Sequence, residues 1–250
     1  MDDRDIQKVA HFFLDHKPWL VLTGAGISTE SGIPDFRTPS TGLWEKYDPM
    51  EVLSREALFS RPEVFYRIGF RILLSFQDAQ PNEAHLILAE WEKRGWVAGV
   101  VTQNIDSLHT RAGSKKVMEI HGHLRSGSCL RCGQTFPIEI MAERVEKGEI
   151  PPRCACGGVV RPDVVLFGDM LPPCFEEAVS LAYRFPLLVI GSSLQVSPAN
   201  FLPSYAAFLL IINLSETPFD GKAQWILRDR ASVALRRLHE AILRLEAVKE

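Results

Sequence analysis

Two rhythms of apolar positions run along this chain. Residues 2 to 16 carry Ile6, Val9, Ala10 and Phe13 at helical spacing, and after Pro18 the unbroken run Trp19 to Leu22 predicts a buried strand. From 38 to 76 the pattern is mostly helical, broken at Pro49 and Pro62, and its many aromatic residues read as core. Asn82 opens a further helix bearing Ala84, Leu86, Ile87 and Trp91, which ends at Gly95 and gives way to a second apolar run, WVAGVV. Two more such runs, PLLVI and FLLII, precede a closing helix whose apolar face is Leu235, Leu238, Ile242 and Leu245. Helices alternating with fully apolar strands predict an α/β fold.

The ends of those strands hold the candidate chemistry. The first runs into Gly24, Ala25 and Gly26, followed by Ile27 to Glu30 as a helix start. A strand, a tight turn and a helix N-terminus converge backbone N–H groups on one spot, an anion site suited to a pyrophosphate. Gly32 comes six residues after Gly26 rather than three, so the dinucleotide fingerprint is incomplete, and a plain glycine turn explains the three residues equally well. Beyond Pro34, a short loop carries Asp35, Phe36 and Arg37: an acid, an aromatic face and a guanidinium. The second strand ends in Gln103, Asn104, Ile105 and Asp106, where an open parallel sheet gathers ligands, although a polar loop cap has the same composition. A short apolar strand ends at His121 and Gly122, and a histidine there is as readily structural as catalytic. His85, His109 and His239 read as structural, and His11, His16 and His123 stand in no motif.

Cysteine spacing is the most specific signal. Cys129-Leu-Arg-Cys132 is followed after 21 residues by Cys154-Ala-Cys156, which reads as one tetrahedral four-cysteine zinc site per chain. The second pair is one residue tighter than a usual ribbon, and Gly157-Gly158 permits the sharp turn it needs. Four thiolates leave no open position, so the zinc is structural. Cys174 is outside both pairs.

Composition sets the limits. With 250 residues, 46% of them hydrophobic, the chain suffices for one core domain with a small satellite. A net charge of −3 offers no field for nucleic acid, and no apolar run reaches membrane-spanning length. Paired cysteines, an odd one and no leader-like start suit a reducing, cytoplasmic location. Nothing in the pattern signals an oligomeric state.

Taken in order, GAGIS, PDFR, QNID, the His121-Gly122 pair, the two cysteine pairs and the strand ends GSS and N resemble the sirtuin family, in particular its bacterial and archaeal NAD-dependent protein lysine deacetylases. The resemblance implies a Rossmann-type, mostly parallel sheet over residues 1–122 and 160–250. It also implies a small inserted zinc module at about 123–159, joined by part of the helical insertion at 38–78. NAD is expected against Gly24, Ala25, Gly26, Ser28, Phe36, Arg37, Gln103, Ile105, Asp106, Gly191, Ser192, Ser193, Asn213 and Ala231. His121 is implied as the base and Asn104 as an orienting group. Val165, Phe167 and Gly168 on one side, with Leu194 and Val196 on the other, are expected to flank an acetyl-lysine peptide. The implied reaction passes the acyl group to ADP-ribose and releases nicotinamide. Mono-ADP-ribosyl transfer on the same fold is the alternative. A nicotinamide oxidoreductase would not release free nicotinamide, and a zinc-ribbon nucleic-acid binder fits poorly with the net acidity.

Overall fold

A computed structural model describes residues 3–35 and 48–247. Its strands are β1 (Trp19–Thr23), β2 (Val97–Thr102), β3 (Val117–Glu119), β4 (Gly122–Cys129), β5 (Thr135–Pro137), β6 (Val160–Val164), β7 (Leu187–Ile190), β8 (Leu209–Ile212) and β9 (Trp225–Leu227). Six of them form a parallel sheet in the order β3-β2-β1-β7-β8-β9. The order reverses direction between β1 and β7, so their carboxyl ends open a crevice at the switch point. The helices Asp3–Asp15, Glu83–Lys93 and Ala231–Ala247 cover one face, packing Phe13, Trp91 and Leu238 against Val21 and Val100. The helix Cys174–Arg184 and the residues around Leu202 cover the other. With both faces covered, β1, β7 and β8 are buried throughout, which is why they read as unbroken apolar runs.

The remaining strands make a small antiparallel sheet, β5-β4-β6, flanked by the helix Ile138–Glu146. The return to the large sheet, expected at residue 160, therefore comes later: Val160 to Val164 pairs with β4. Its side chains alternate buried and half-buried, as an antiparallel edge strand requires, and the edge position tolerates Pro162. The segment from Pro49 to Leu74 is helical, but Pro49 and Pro62 begin helices rather than break them, since proline suits a first turn whose N–H needs no partner. Val52, Leu58, Phe65, Tyr66 and Phe70 of this segment share one core with Ile138, Met141 and Val160, and Tyr66 Oη donates to the Val160 carbonyl at 2.7 Å. Phe59 is the exception among its aromatics, half exposed to solvent. No helix among the described residues is long and apolar enough to cross a membrane.

Candidate active site

The loop after β1 differs from its expected form. It folds as two short 3-10 turns, Ala25–Ile27 and Thr29–Ser31, ended by Gly32 in the left-handed conformation. Four of its N–H groups are spent inside the fold: Gly24 donates to Ile190, Gly26 to Gly191, Ile27 to Gly24 and Ser28 to Ala25. The glycines serve close approach. A Cβ on Gly26 would stand 2.7 Å from the Gly191 Cα, and one on Gly191, whose φ is +61°, would stand 2.4 Å from the Ile27 nitrogen. Two other elements pin the loop. Asn82, the N-cap of the Glu83–Lys93 helix, donates to the Ile27 carbonyl at 2.8 Å, and Glu30 accepts from both the backbone and the hydroxyl of Ser232.

Against this loop stands the segment leaving β2. Asn104 Nδ2 donates to the Gly24 carbonyl and to Ser28 Oγ, both at 3.1 Å, while Ser28 Oγ donates to Asp106 Oδ2 at 2.7 Å. Gln103 Nε2 reaches Ser192 Oγ at 2.8 Å, joining the end of β2 to the end of β7. Burial raises the Asp106 carboxyl above its ordinary range, opposed by the Leu108 N–H and the Ser28 hydroxyl. The imidazole of His121 meets the Gln103 carbonyl through Nδ1 at 2.9 Å. A carbonyl only accepts, so in the neutral ring the proton sits on Nδ1 and Nε2 carries the lone pair.

Two histidines read as structural in the sequence lie directly beneath. His85 Nδ1 accepts from the Asn82 N–H, which leaves the proton on Nε2 to face Ser28 Oγ at 3.5 Å. Its ring packs edge-on against His109, whose Nε2 meets Thr23 Oγ1 at 2.9 Å. Burial lowers His85 to about 4 and His109 well below its ordinary value, so both are neutral at physiological pH. No short-range pattern marks such a network, because its links to the β1 loop span 57 and 86 residues.

The loop after β1, the segment leaving β2 and His121 line one cleft of about 540 Å³ between the two sheets. Gly24, Ala25, Gly26, Ser28, Gln103, Asn104, Ile105, Asp106, His121, Gly191, Ser192, Ser193, Asn213 and Ala231 all border it, as do Val165, Phe167, Gly168 and Val196. Leu194 does not. It is packed in the core, 2% exposed, with a φ of +54°. Phe36 and Arg37 lie outside the described residues. An apolar wall of Ile33, Leu53, Leu73 and Phe76 also borders the cleft; Leu73 and Phe76 belong to the mainly apolar segment 62–76, while Leu53 carried no sequence signal. Arg67 and Arg71 face solvent, Arg67 paired with Glu63. Beside that wall Phe167 exchanges backbone hydrogen bonds with Leu53 and Arg55, the Val165 N–H donates to the His121 carbonyl, and Arg161 grips Asp169 with both Nη nitrogens.

The cysteines converge at the tip of the small sheet, with all four sulfurs within 4.8 Å of one another. Sγ of Cys129 and Cys156 are 3.5 Å apart, and those of Cys132 and Cys154 are 3.7 Å apart. Zinc–sulfur bonds of about 2.3 Å in a tetrahedron place sulfurs about 3.8 Å apart, so the donor set fits one zinc ion. The turn after Cys156 is made by Gly157 at φ +82°, and a Cβ on Gly158 would stand 2.6 Å from Cys129 Sγ.

Residues 24–198 match the model of the Sir2 family. The chain belongs to the Sir2 family. It is 57% identical to NAD-dependent protein deacetylase 2 of Caldanaerobacter subterraneus subsp. tengcongensis over 97% of this chain and 98% of that one. It is 44% identical to NAD-dependent protein deacetylase of Saccharolobus solfataricus, over 94% and 96%. Among solved structures, Sir2 with a deacetylated p53 peptide and 3′-O-acetyl-ADP-ribose superposes with a TM-score of 0.89 at 39% identity, covering 94% of this chain and 97% of that one. Sir2 with p53 peptide and NAD+ superposes at 0.87 with 38% identity and the same coverage. The mostly parallel sheet and the four-cysteine cluster of this Sir2 chain agree with the fold expected from its sequence.

Proposed function

We propose that this Sir2 chain is an NAD-dependent protein lysine deacetylase, moving the acyl group of a modified lysine to ADP-ribose with release of nicotinamide. One observation carries the reading: the Gly24–Ser28 loop, the Gln103–Asp106 segment and the His121 imidazole share a single cleft with the segment Val165 to Gly168 that follows β6. Relatives named as deacetylases, and Sir2 structures holding peptide with NAD+ or an acetylated ADP-ribose, favour this over mono-ADP-ribosyl transfer. NAD supplies a glycosidic bond whose cleavage makes a ribose carbon electrophilic toward the acyl oxygen.

The residues of the chain do the rest. Asn104, held by Gly24 and Ser28, and Ser28, held by Asn104, Asp106 and His85, orient the ribose. Ile105 and Asp106 hold the nicotinamide carboxamide, each Asp106 oxygen keeping a second lone pair for an amide N–H. With Nδ1 of His121 committed to Gln103, Nε2 takes the proton from a ribose hydroxyl. The peptide enters as an added strand between Val165–Gly168 and the backbone of residues 194–196. Structural zinc closes the small domain. Incubation with NAD and an acetyl-lysine peptide, followed by mass spectrometry, tests the reading. Loss of acetyl and appearance of nicotinamide one for one is expected. A peptide that keeps its acetyl group and gains ADP-ribose would overturn it.

A further inference from the structure

Outside the cleft, three side chains from three elements meet behind Asp106. Arg125 on β4 forks onto Glu119 at the end of β3, Nη1 to Oε1 at 2.6 Å and Nη2 to Oε2 at 2.7 Å. The same Nη1 donates to Ser107 Oγ. The Glu119 side chain is only 13% exposed and stands two residues before His121. Ser107 is buried and has a φ of +59°, a left-handed conformation that a serine keeps only where its surroundings hold it. Directly before it, Asp106 Oδ1 accepts the Leu108 N–H at 2.9 Å and closes the turn. None of Ser107, Glu119 and Arg125 borders the cleft, whereas Ile105 and Asp106, directly before Ser107, both do.

We propose that Arg125 is a positioning residue for the cofactor: by bridging Glu119 and Ser107 it locks the left-handed turn and sets the direction in which Ile105 and Asp106 point. The assignment rests on the reading that these two residues hold the nicotinamide carboxamide. The planar fork is what the task needs, because one guanidinium satisfies both oxygens of Glu119 while an N–H reaches the serine, a span that a lysine ammonium does not match. The contact also crosses from the small sheet to the large one, so the zinc-bearing module braces the nicotinamide turn directly.

The test uses the full chain with Arg125→Gln and Arg125→Lys, titrating NAD, acetyl-lysine peptide and added nicotinamide. Both variants are expected to raise the KM for NAD and the half-inhibitory concentration of nicotinamide by about fivefold or more, with the peptide KM within about twofold. Arg125→Lys still neutralises Glu119, so its zinc content and melting temperature should stay those of the parent. Adding Ser107→Gly to Arg125→Lys should recover much of the NAD affinity, since glycine adopts the turn without being held. Unchanged NAD and nicotinamide parameters in both variants would overturn the proposal. So would a lysine variant with every parameter restored, which would reduce Arg125 to a charge partner of Glu119. An inactive parent chain would instead overturn the functional reading itself.

Discussion

In the large sheet, β1, β7 and β8 bury every residue, while in the small sheet β6 buries only alternate ones. Each buried Leu, Ile or Val of the large sheet contributes about 1.5–3 kcal/mol from burial alone. These three strands supply such a side chain at every position except Trp19 and Thr23. The small sheet has no comparable interior. It borrows Val52, Leu58, Phe65, Tyr66 and Phe70 from the helical segment and joins its tip through four cysteines. One region is held by transfer of apolar surface, the other by metal chemistry plus a shared core, and the cleft lies where they meet.

Removing the metal should break that contrast most. Zinc binding by four thiolates contributes about 10–16 kcal/mol in small zinc modules. Cys132→Ala or Cys156→Ala should therefore cost solubility and activity together, and elemental analysis of the parent should find about one zinc per chain. A metal-free protein with full activity and normal melting would show that the borrowed core suffices.

His121→Ala should do the reverse, disabling the cleft while sparing both regions. Loss of a general base costs about 10²–10⁴ in turnover, about 3–5 kcal/mol, with zinc content, melting and NAD binding unchanged. An undiminished turnover would remove His121 from the mechanism.

Acid should load the large domain through its buried histidines, beside the thiolate protonation that loosens zinc in the small one. His85 titrates at about 4 in the folded chain, against 6.5 when unfolded. Between those values the unfolded state binds the extra proton, so stability is lost as pH falls from about 6.5 to 4, by about 3 kcal/mol from this residue. His109 acts in the same direction. Asp106, raised by burial, acts oppositely: its folded form holds the proton longer, which favours folding at low pH. Melting curves of the parent and His85→Asn across this range should separate the terms, the variant showing the flatter dependence. Equal slopes would mean that His85 binds its proton equally well folded and unfolded.

The smallest expected effect concerns the acyl group. Arg67 and Arg71 point to solvent, and among the described residues the wall of the cleft that includes Leu53, Leu73 and Phe76 offers a distal carboxylate no partner. Acetyl, propionyl and butyryl peptides should exceed a succinyl peptide in kcat/KM by about tenfold or more, about 1.4 kcal/mol. Comparable rates in a direct competition would place a cation at that wall.

The same contrast governs what the sequence makes legible. Strands buried on both faces announce themselves as WLVL, VAGVV, LLVI and LLII, and the cysteine pairs state their own geometry. The alternation of Val160, Pro162 and Val164 with Arg161 and Asp163 was the available sign that β6 belongs to the small sheet, because a two-sided parallel strand would not alternate. β9, only three residues with two half-buried, was too short to announce itself. The loop after β1 reads as a helix start, but Gly32 in its left-handed conformation stops it after two 3-10 turns. The fate of Leu194, and the roles of His85 and His109, depend on partners far away in the chain, so no local periodicity records them.

The contact of Gly24 and Gly26 with Gly191 also constrains how this chain can diverge. A methyl at any of the three meets main-chain atoms at 2.4 to 2.8 Å, and main-chain atoms are common to all twenty residue types. A compensating substitution at a neighbouring position therefore has no side chain to shorten. Drift at these three sites is closed to single steps and to pairs alike, and a descendant could leave glycine there only by moving the end of β7 away from the end of β1.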